Sequence, residues 1–212
     1  MKVVVLISGG GSNLQALIDR SQSNDCAYEI VAVISNQAGV KGLERATQAG
    51  IPTQVIDHTD FDTRAEFDQT LAKAIDTINT DVIVLAGFMR ILTAEFVNRY
   101  DQRLINIHPS LLPQYPGNNT HQRVLEGGDE WHGASVHFVV PEVDAGPIIV
   151  QGRLRIGDTK EAQQLAKRVL KIEHQIYPLA VQWMGEGRIK VRDERVLLDG
   201  EINSDQLQTF DV

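Results

Sequence analysis

Three short runs, residues 3–7, 30–34 and 82–85, are apolar at every position and rich in β-branched side chains. A strand with one wet face alternates apolar and polar residues. An unbroken apolar run of this length marks a strand covered on both faces. Helical spacing lies between the runs: Phe67, Leu71, Ile75 and Ile78 fall at steps of four, four and three, on one helix face. Ser12, Thr63 and Asp158 are each followed three residues later by Gln15, Glu66 and Glu161, the capping-box pattern that opens a helix. Strands alternating with helices imply a mostly parallel sheet with right-handed crossovers. The expectation is an α/β chain, Rossmann-like over residues 1–100.

The second half changes character. Residues 104–107 read as a further strand running into a segment with Pro109, Pro113, Pro116 and Gly117, which excludes a helix and demands an irregular loop. Residues 134–140 and 148–154 read as strands joined by a turn over 141–147. A helix is expected from about 161 to 177, ending at Pro178, with a short helix after it. Alternation from residue 188 suggests a small C-terminal hairpin, and residues 203–212 read as a frayed tail. With no repeat, low-complexity tract or linker, residues 1–212 are expected to form a single domain, its second half spanning 101–190.

A chain of 212 residues with 42% hydrophobic content can bury a sizeable core. Its net charge of −8 and pI of about 5.2 argue against a nucleic-acid partner, which calls for a basic face. The one cysteine, Cys26, cannot form an intramolecular disulfide, which fits a reducing compartment. The apolar N-terminal run stops at glycines before reaching signal-peptide length, and no stretch approaches a membrane span. The chain therefore reads as soluble and cytoplasmic, a monomer or homodimer with no membrane or nucleic-acid partner.

The loop Ser8-Gly9-Gly10-Gly11-Ser12-Asn13 joins the first strand to the first helix. In open α/β sheets, ligands meet the carboxyl ends of strands there, and the free N–H groups of a helix start suit an anion. The loop lacks the Gly-Lys-Ser/Thr ending of a P-loop, and Leu14 stands where a dinucleotide fingerprint needs its third glycine. A tight turn that merely needs small residues is one reading. A phosphorylated small substrate is the better one.

Asn106 and His108 are two apart on a strand, so their side chains point the same way. An amide beside an imidazole can stabilise an oxyanion and move a proton. Asp144, held in a Gly-Pro turn, would favour the imidazolium if it reaches His108. A hydrogen-bonded structural pair and a plain turn former explain the same residues, and nothing local links the two elements. Cys26 and Ser110 lack the setting of a covalent nucleophile. His132 and His137 lie five apart and no His-Glu-x-x-His or Cys-x-x-Cys pair exists, so no metal is expected.

Several ordered motifs together carry a resemblance. Ile7-Ser8-Gly9-Gly10-Gly11-Ser12-Asn13-Leu14-Gln15, Leu85-Ala86-Gly87-Phe88-Met89-Arg90-Ile91-Leu92, Asn106-Ile107-His108-Pro109-Ser110-Leu111-Leu112-Pro113 and Gly133-Ala134-Ser135-Val136-His137-Phe138 resemble the phosphoribosylglycinamide formyltransferase family, within the folate-dependent formyltransferases. The spacing to Asp144-Ala145-Gly146-Pro147-Ile148-Ile149 matches too, and the likeness runs to about Trp183. The resemblance implies transfer of the formyl group of 10-formyltetrahydrofolate to the amine of glycinamide ribonucleotide, in de novo purine synthesis. It implies a ribonucleotide-binding half over 1–100 and a catalytic, folate-binding half over 101–190. Catalysis would fall to Asn106, His108 and Asp144. Gly11, Ser12, Asn13 and Glu173 would hold the ribonucleotide. Met89, Arg90, Ile91, Leu92, Arg64 and Val140 would meet the folate, which Asn106 and Asp144 also border. Gly10 and Asn118-Asn119 depart from the family's usual residues, Gly10 by being smaller and Asn119 by standing where His is usual.

The nearest rivals share the Asn-x-His and Asp elements. Methionyl-tRNA formyltransferase is expected to be longer and to carry a basic RNA surface, and formyltetrahydrofolate hydrolase to carry an added N-terminal domain. A phosphate-binding module without catalysis would need only the glycine loop.

Overall fold

A computed structural model of the protein describes residues 1–201 and 206–211 and divides into two compact units, residues 1–106 and 107–212. In the first unit the elements are β1 (Lys2–Ile7), α1 (Ser12–Ser21), β2 (Glu29–Ser35), α2 (Lys41–Gln48), β3 (Thr53–Val55), α3 (Arg64–Thr77), β4 (Val82–Leu85), α4 (Ala94–Arg99) and the start of β5 (Leu104–His108). The strands pair in the order β5-β4-β1-β2-β3, all in parallel. Val3 to Ile7 are fully buried at every position, since β1 has a strand on each side and cover on both faces. Each such side chain contributes about 1.5–3 kcal/mol by leaving water.

The second unit takes over within β5 and continues with α5 (Thr120–Gly127), β6 (Trp131–Phe138), β7 (Ile148–Arg155), α6 (Ala162–Gly185), the hairpin β8 (Ile189–Arg192) and β9 (Arg195–Leu198), and β10 (Leu207–Thr209). β6 and β7 pair antiparallel, and β10 adds to β7 in parallel. The full hydrogen-bonded order is β10-β7-β6-β5-β4-β1-β2-β3, a mostly parallel eight-stranded sheet with helices, plus the separate β8-β9 hairpin. No helix among the described residues is long and apolar enough to cross a membrane.

Several local expectations need correction. Only Thr63 forms a capping box: its hydroxyl accepts the Glu66 N–H while Glu66 accepts the Thr63 N–H. Helix α1 is capped instead by Gly11 in the left-handed region at φ 69°, with no side-chain cap bond, and Gln15 binds Asp19 and Arg45. Helix α6 starts at Ala162, because Gly157 at φ 60° and the Thr159 N–H to Ile156 O bond spend residues 156–159 on a turn.

Pro178 does not end that helix. The 24-residue α6 runs through it with Ile172, Ile176, Tyr177, Ala180 and Val181 fully buried. That burial outweighs the roughly 3 kcal/mol that an interior proline costs. Of the tail expected to fray, residues 203–205 and 212 lie outside the described residues. Leu207–Thr209 form β10 on Gln151–Arg153, and Arg153 Nε donates to Thr209 Oγ1 at 3.0 Å. A solvated β7 edge is a pairing template, and this segment fills it.

Candidate functional site

In the first unit, parallel pairing aligns the carboxyl ends of β1, β4 and β5: Leu6 lies beside Leu85, and Leu85 beside Asn106. The glycine loop leaves that edge. A Cβ on Gly11 would stand 2.6 Å from the Gly42 Cα, and one on Gly42 would stand 2.5 Å from Ile7 Cδ1. Two backbones therefore meet where side chains do not fit. Gly42 N–H donates to Gly9 O at 3.0 Å and Arg45 Nε to Gly10 O at 2.9 Å, so α2 braces the loop from behind. The first intrahelical bond of α1 is Gln15 N–H to Gly11 O, so the N–H groups of the first helical turn point back along the helix axis toward the loop. Nothing lies within 4 Å of a Cβ on Gly10, so the room a larger residue would take is open.

Ser8 ties this loop to the β4 edge. Its hydroxyl donates to Asn36 Oδ1 at 2.6 Å and accepts the Met89 N–H at 2.7 Å. The 88–92 segment is also held from α3, where Arg64 Nη1 reaches Ile91 O at 3.4 Å and Arg90 lies 5.8 Å from the Phe67 ring centroid. Phe67 in turn stacks on Phe88. Met89 and Ile91 are 74% and 61% exposed while Leu92 is buried. Two large apolar side chains held out into solvent on a braced backbone suit an apolar ligand face.

In the second unit, β5 delivers His108, whose side chain is almost fully buried. Its Nδ1 stands 3.3 Å from Asp144 Oδ2, and its Nε2 stands 2.9 Å from the Tyr115 carbonyl oxygen. Both neighbours are acceptors, so only the doubly protonated ring donates to both. Asp144 Oδ2 also accepts the Gly117 N–H at 2.8 Å. Asp144 has φ 55°, and a Cβ on Gly146 would stand 1.8 Å from Phe138 O. The turn can press against the end of β6 only because residue 146 is glycine, and that approach puts the carboxylate on the imidazole.

The loop after His108 is fastened by a buried hydroxyl. Ser135 Oγ donates to Ser110 O at 2.7 Å and accepts the Leu112 N–H at 3.0 Å. Gln151 Nε2 donates to Ser135 Oγ at 2.8 Å and to Leu112 O at 2.9 Å. Two further histidines, His132 and His137, lie in β6. His137 Nδ1 donates to Phe138 O at 2.9 Å, and burial holds its pKa below the ordinary value, so a neutral ring flanks Asp144. His132 Nε2 lies 3.0 Å from His121 Nδ1, and one of the pair must be the unprotonated acceptor.

That pair sets a pH dependence. Burial, then the neighbouring His121, pushes His132 down to about 3, and burial also lowers His121. The unfolded chain binds these protons below its ordinary histidine pKa of about 6.5 while the folded chain does not. Stability is therefore fully present above about pH 6.5 and is lost as pH falls towards about 3, by on the order of 1 kcal/mol per pH unit. Thermal melts across pH 4–7 should show this slope, flattened in His132→Phe. An equal slope in the variant would assign it elsewhere.

The structure thus brings His108 and Asp144 together and places Asn106 two residues earlier on the same strand. Within the first unit it joins the loop bearing Gly11, Ser12 and Asn13 to Met89 through Ser8, and Arg64 to Ile91. Val140 is half-buried beside the Asp144 turn, with its Cγ1 3.4 Å from a Cβ on Gly146. Glu173 is buried on α6. Sequence reasoning missed the supports Ser8, Asn36, Tyr115, Gly117 and Ser135. Ser8 and Ser135 stood inside motifs already singled out, whereas Tyr115 and Gly117 act through backbone atoms, which no side-chain pattern announces. Among the described residues, no three His, Cys, Asp or Glu side chains are grouped to hold a metal ion.

The formyl transferase family model matches residues 1–181. The chain is 50% identical over 201 residues to phosphoribosylglycinamide formyltransferase of Escherichia coli, covering 95% of each chain. It is 44% identical over 200 residues to that of Haemophilus influenzae, covering 94% of each. The solved structure of the Coxiella burnetii phosphoribosylglycinamide formyltransferase in complex with CHES superposes with a TM-score of 0.92 at 48% identity, covering 100% of this chain and 99% of that one.

Proposed function

The chain belongs to the formyl transferase family, and from that premise we propose that it transfers the formyl group of 10-formyltetrahydrofolate to the amine of glycinamide ribonucleotide, in purine biosynthesis. The observation that carries the chemistry is the 3.3 Å approach of His108 Nδ1 to Asp144 Oδ2 at the end of β5, with Asn106 on the same side of the strand. The amine attacks the formyl carbon and gives a tetrahedral oxyanion. His108, as imidazolium, and the Asn106 amide donate to that oxygen. The bond from the formyl carbon to folate N10 then breaks, the amine nitrogen gives up a proton, and N10 gains one.

Separate tasks for the two imidazole nitrogens are supported by their neighbours. Nδ1 is spent on Asp144, so Nε2 is the donor left for substrate, and it now meets the Tyr115 carbonyl. The segment around Tyr115 has to yield that position during turnover. In the first unit, the N–H groups at the start of α1 with Ser12 and Asn13 take the ribonucleotide phosphate, and Glu173 meets the same substrate. The apolar 89–92 segment with Arg64 and Val140 takes the folate, which Asn106 and Asp144 border. Both partners are small molecules. A net charge of −8 supports no nucleic-acid role, and we place the protein in the cytoplasm.

The test is spectrophotometric: purified protein, glycinamide ribonucleotide and a 10-formyl folate, with release of deformylated folate recorded. Release that requires the ribonucleotide is expected. Release without it would indicate a hydrolase, and binding of ribonucleotide without release would reduce the protein to a binding module.

A further inference from the structure

In the first unit, the loop after β1 has two consecutive glycines, Gly9 and Gly10, with nothing within 4 Å of a Cβ at either, so no packing fixes the backbone there. What fixes it is α2. The Gly42 N–H holds Gly9 O at 3.0 Å, and Arg45 Nε holds Gly10 O at 2.9 Å. Both loop peptides are trans, so each N–H points opposite to the carbonyl whose plane it shares. With both carbonyls drawn to α2, the Gly10 and Gly11 N–H groups face away from it. Successive N–H groups held in this way suit an anion.

Arg45 is the charged half of that clamp. It lies half-buried on α2, and a Cβ on Gly11 would stand 3.5 Å from its Cδ. Its Nη1 donates to Gln15 Oε1 at 2.9 Å, and Gln15 Nε2 donates to Asp19 Oδ1 at 2.8 Å. Among the described residues Arg45 forms no ion pair: its donors meet a backbone carbonyl and a neutral amide. The guanidinium therefore keeps its charge against the loop, in a chain whose net charge is −8. A cation on a carbonyl polarises the peptide and makes the N–H of that peptide a stronger donor.

We propose that Arg45 is a positioning residue that makes the glycine loop specific for the phosphate of the substrate: by holding Gly10 O it presents the Gly11 N–H to the phosphate, and its charge strengthens that donor. The inference rests on the reading that places the ribonucleotide phosphate at this loop. A plain brace would act on every substrate of the site alike. This device acts only on what the loop amides touch.

Inorganic phosphate titrated into 15N-labelled full-length protein tests the loop first. Saturable shifts of the Gly10 and Gly11 amides are expected in the parent, and their absence would overturn the phosphate reading and the role of Arg45 with it. Arg45→Met removes the donors and the charge, and should weaken phosphate binding about tenfold or more. The formyl-transfer assay is then run with glycinamide ribonucleotide and with its dephosphorylated riboside. The ratio of their kcat/KM values should fall about tenfold or more in Arg45→Met. Arg45→Lys keeps the cation but not the planar Nε–H that bonds Gly10 O, and should lower the ratio about threefold or more. That variant keeps the test standing if Arg45→Met fails to fold. Phosphate binding that is unchanged in Arg45→Met, or a ratio like the parent's in either variant, overturns the proposal and leaves the loop reading intact. A shared fall for both substrates with the ratio unmoved is such a result, and would make Arg45 a brace of the fold alone.

Discussion

Replacing His108 with alanine is expected to lower kcat about a thousandfold while leaving ribonucleotide affinity within about twofold of the parent. The size follows from what the ring supplies. A positioned oxyanion donor accounts for about 3 kcal/mol of barrier, and a group that moves a proton contributes on its own scale. The neighbouring His137 does not replace the Nε2 donor, since it is buried, held neutral, and spends its Nδ1 on the Phe138 carbonyl. The affinity should survive because the phosphate is assigned to the start of α1, in the first unit. Steady-state kinetics paired with calorimetric titration of the ribonucleotide separate the two quantities. If kcat and affinity fell together, His108 would be a binding residue and the proposed division of labour would be wrong.

The interior of the sheet was legible because its strands announce themselves. Residues 82–85 read as a strand from apolar composition alone and form β4 with those limits, and β1, β2 and β5 differ by a residue or two. What escaped were elements whose stability comes from elsewhere. β3 has three exposed residues and exists because β2 offers it an edge. β10 forms because β7 does the same, and α6 continues through Pro178 because both flanks of the proline are buried. Local pattern reports local preference, and tertiary burial overrode it at each of these places.

The candidate site divides along the same line. Asn106 and His108 could be placed on one strand face by counting, but the tie of His108 to Asp144 depends on a glycine that nothing local marks as a close contact. The resemblance supplied that tie before geometry did. The capping pattern at Ser12 misled for an instructive reason. Gly11 takes the left-handed conformation against Gly42, which makes Gly11 the cap and leaves the Ser12 hydroxyl out of any capping bond.

Asp144→Asn should lower kcat about a hundredfold or more with little change in folding stability, and this separates charge from shape. The amide is nearly isosteric with the carboxylate, and its oxygen can still accept the Gly117 N–H that Asp144 now accepts at 2.8 Å. What it loses is the anion 3.3 Å from His108 Nδ1. Without that charge the buried ring has only dipoles, the Tyr115 carbonyl among them, to favour its second proton. A neutral ring still able to donate one hydrogen bond offers less to an oxyanion than an imidazolium does. Steady-state kinetics at pH 7.5 read the loss, with the ribonucleotide KM expected within about twofold of the parent's. Chemical denaturation at pH 7.5 should give a midpoint close to the parent's. A variant that is badly destabilised, or one that keeps the parent's kcat, would mean that Asp144 holds the turn in place and does not act by its charge on the imidazole.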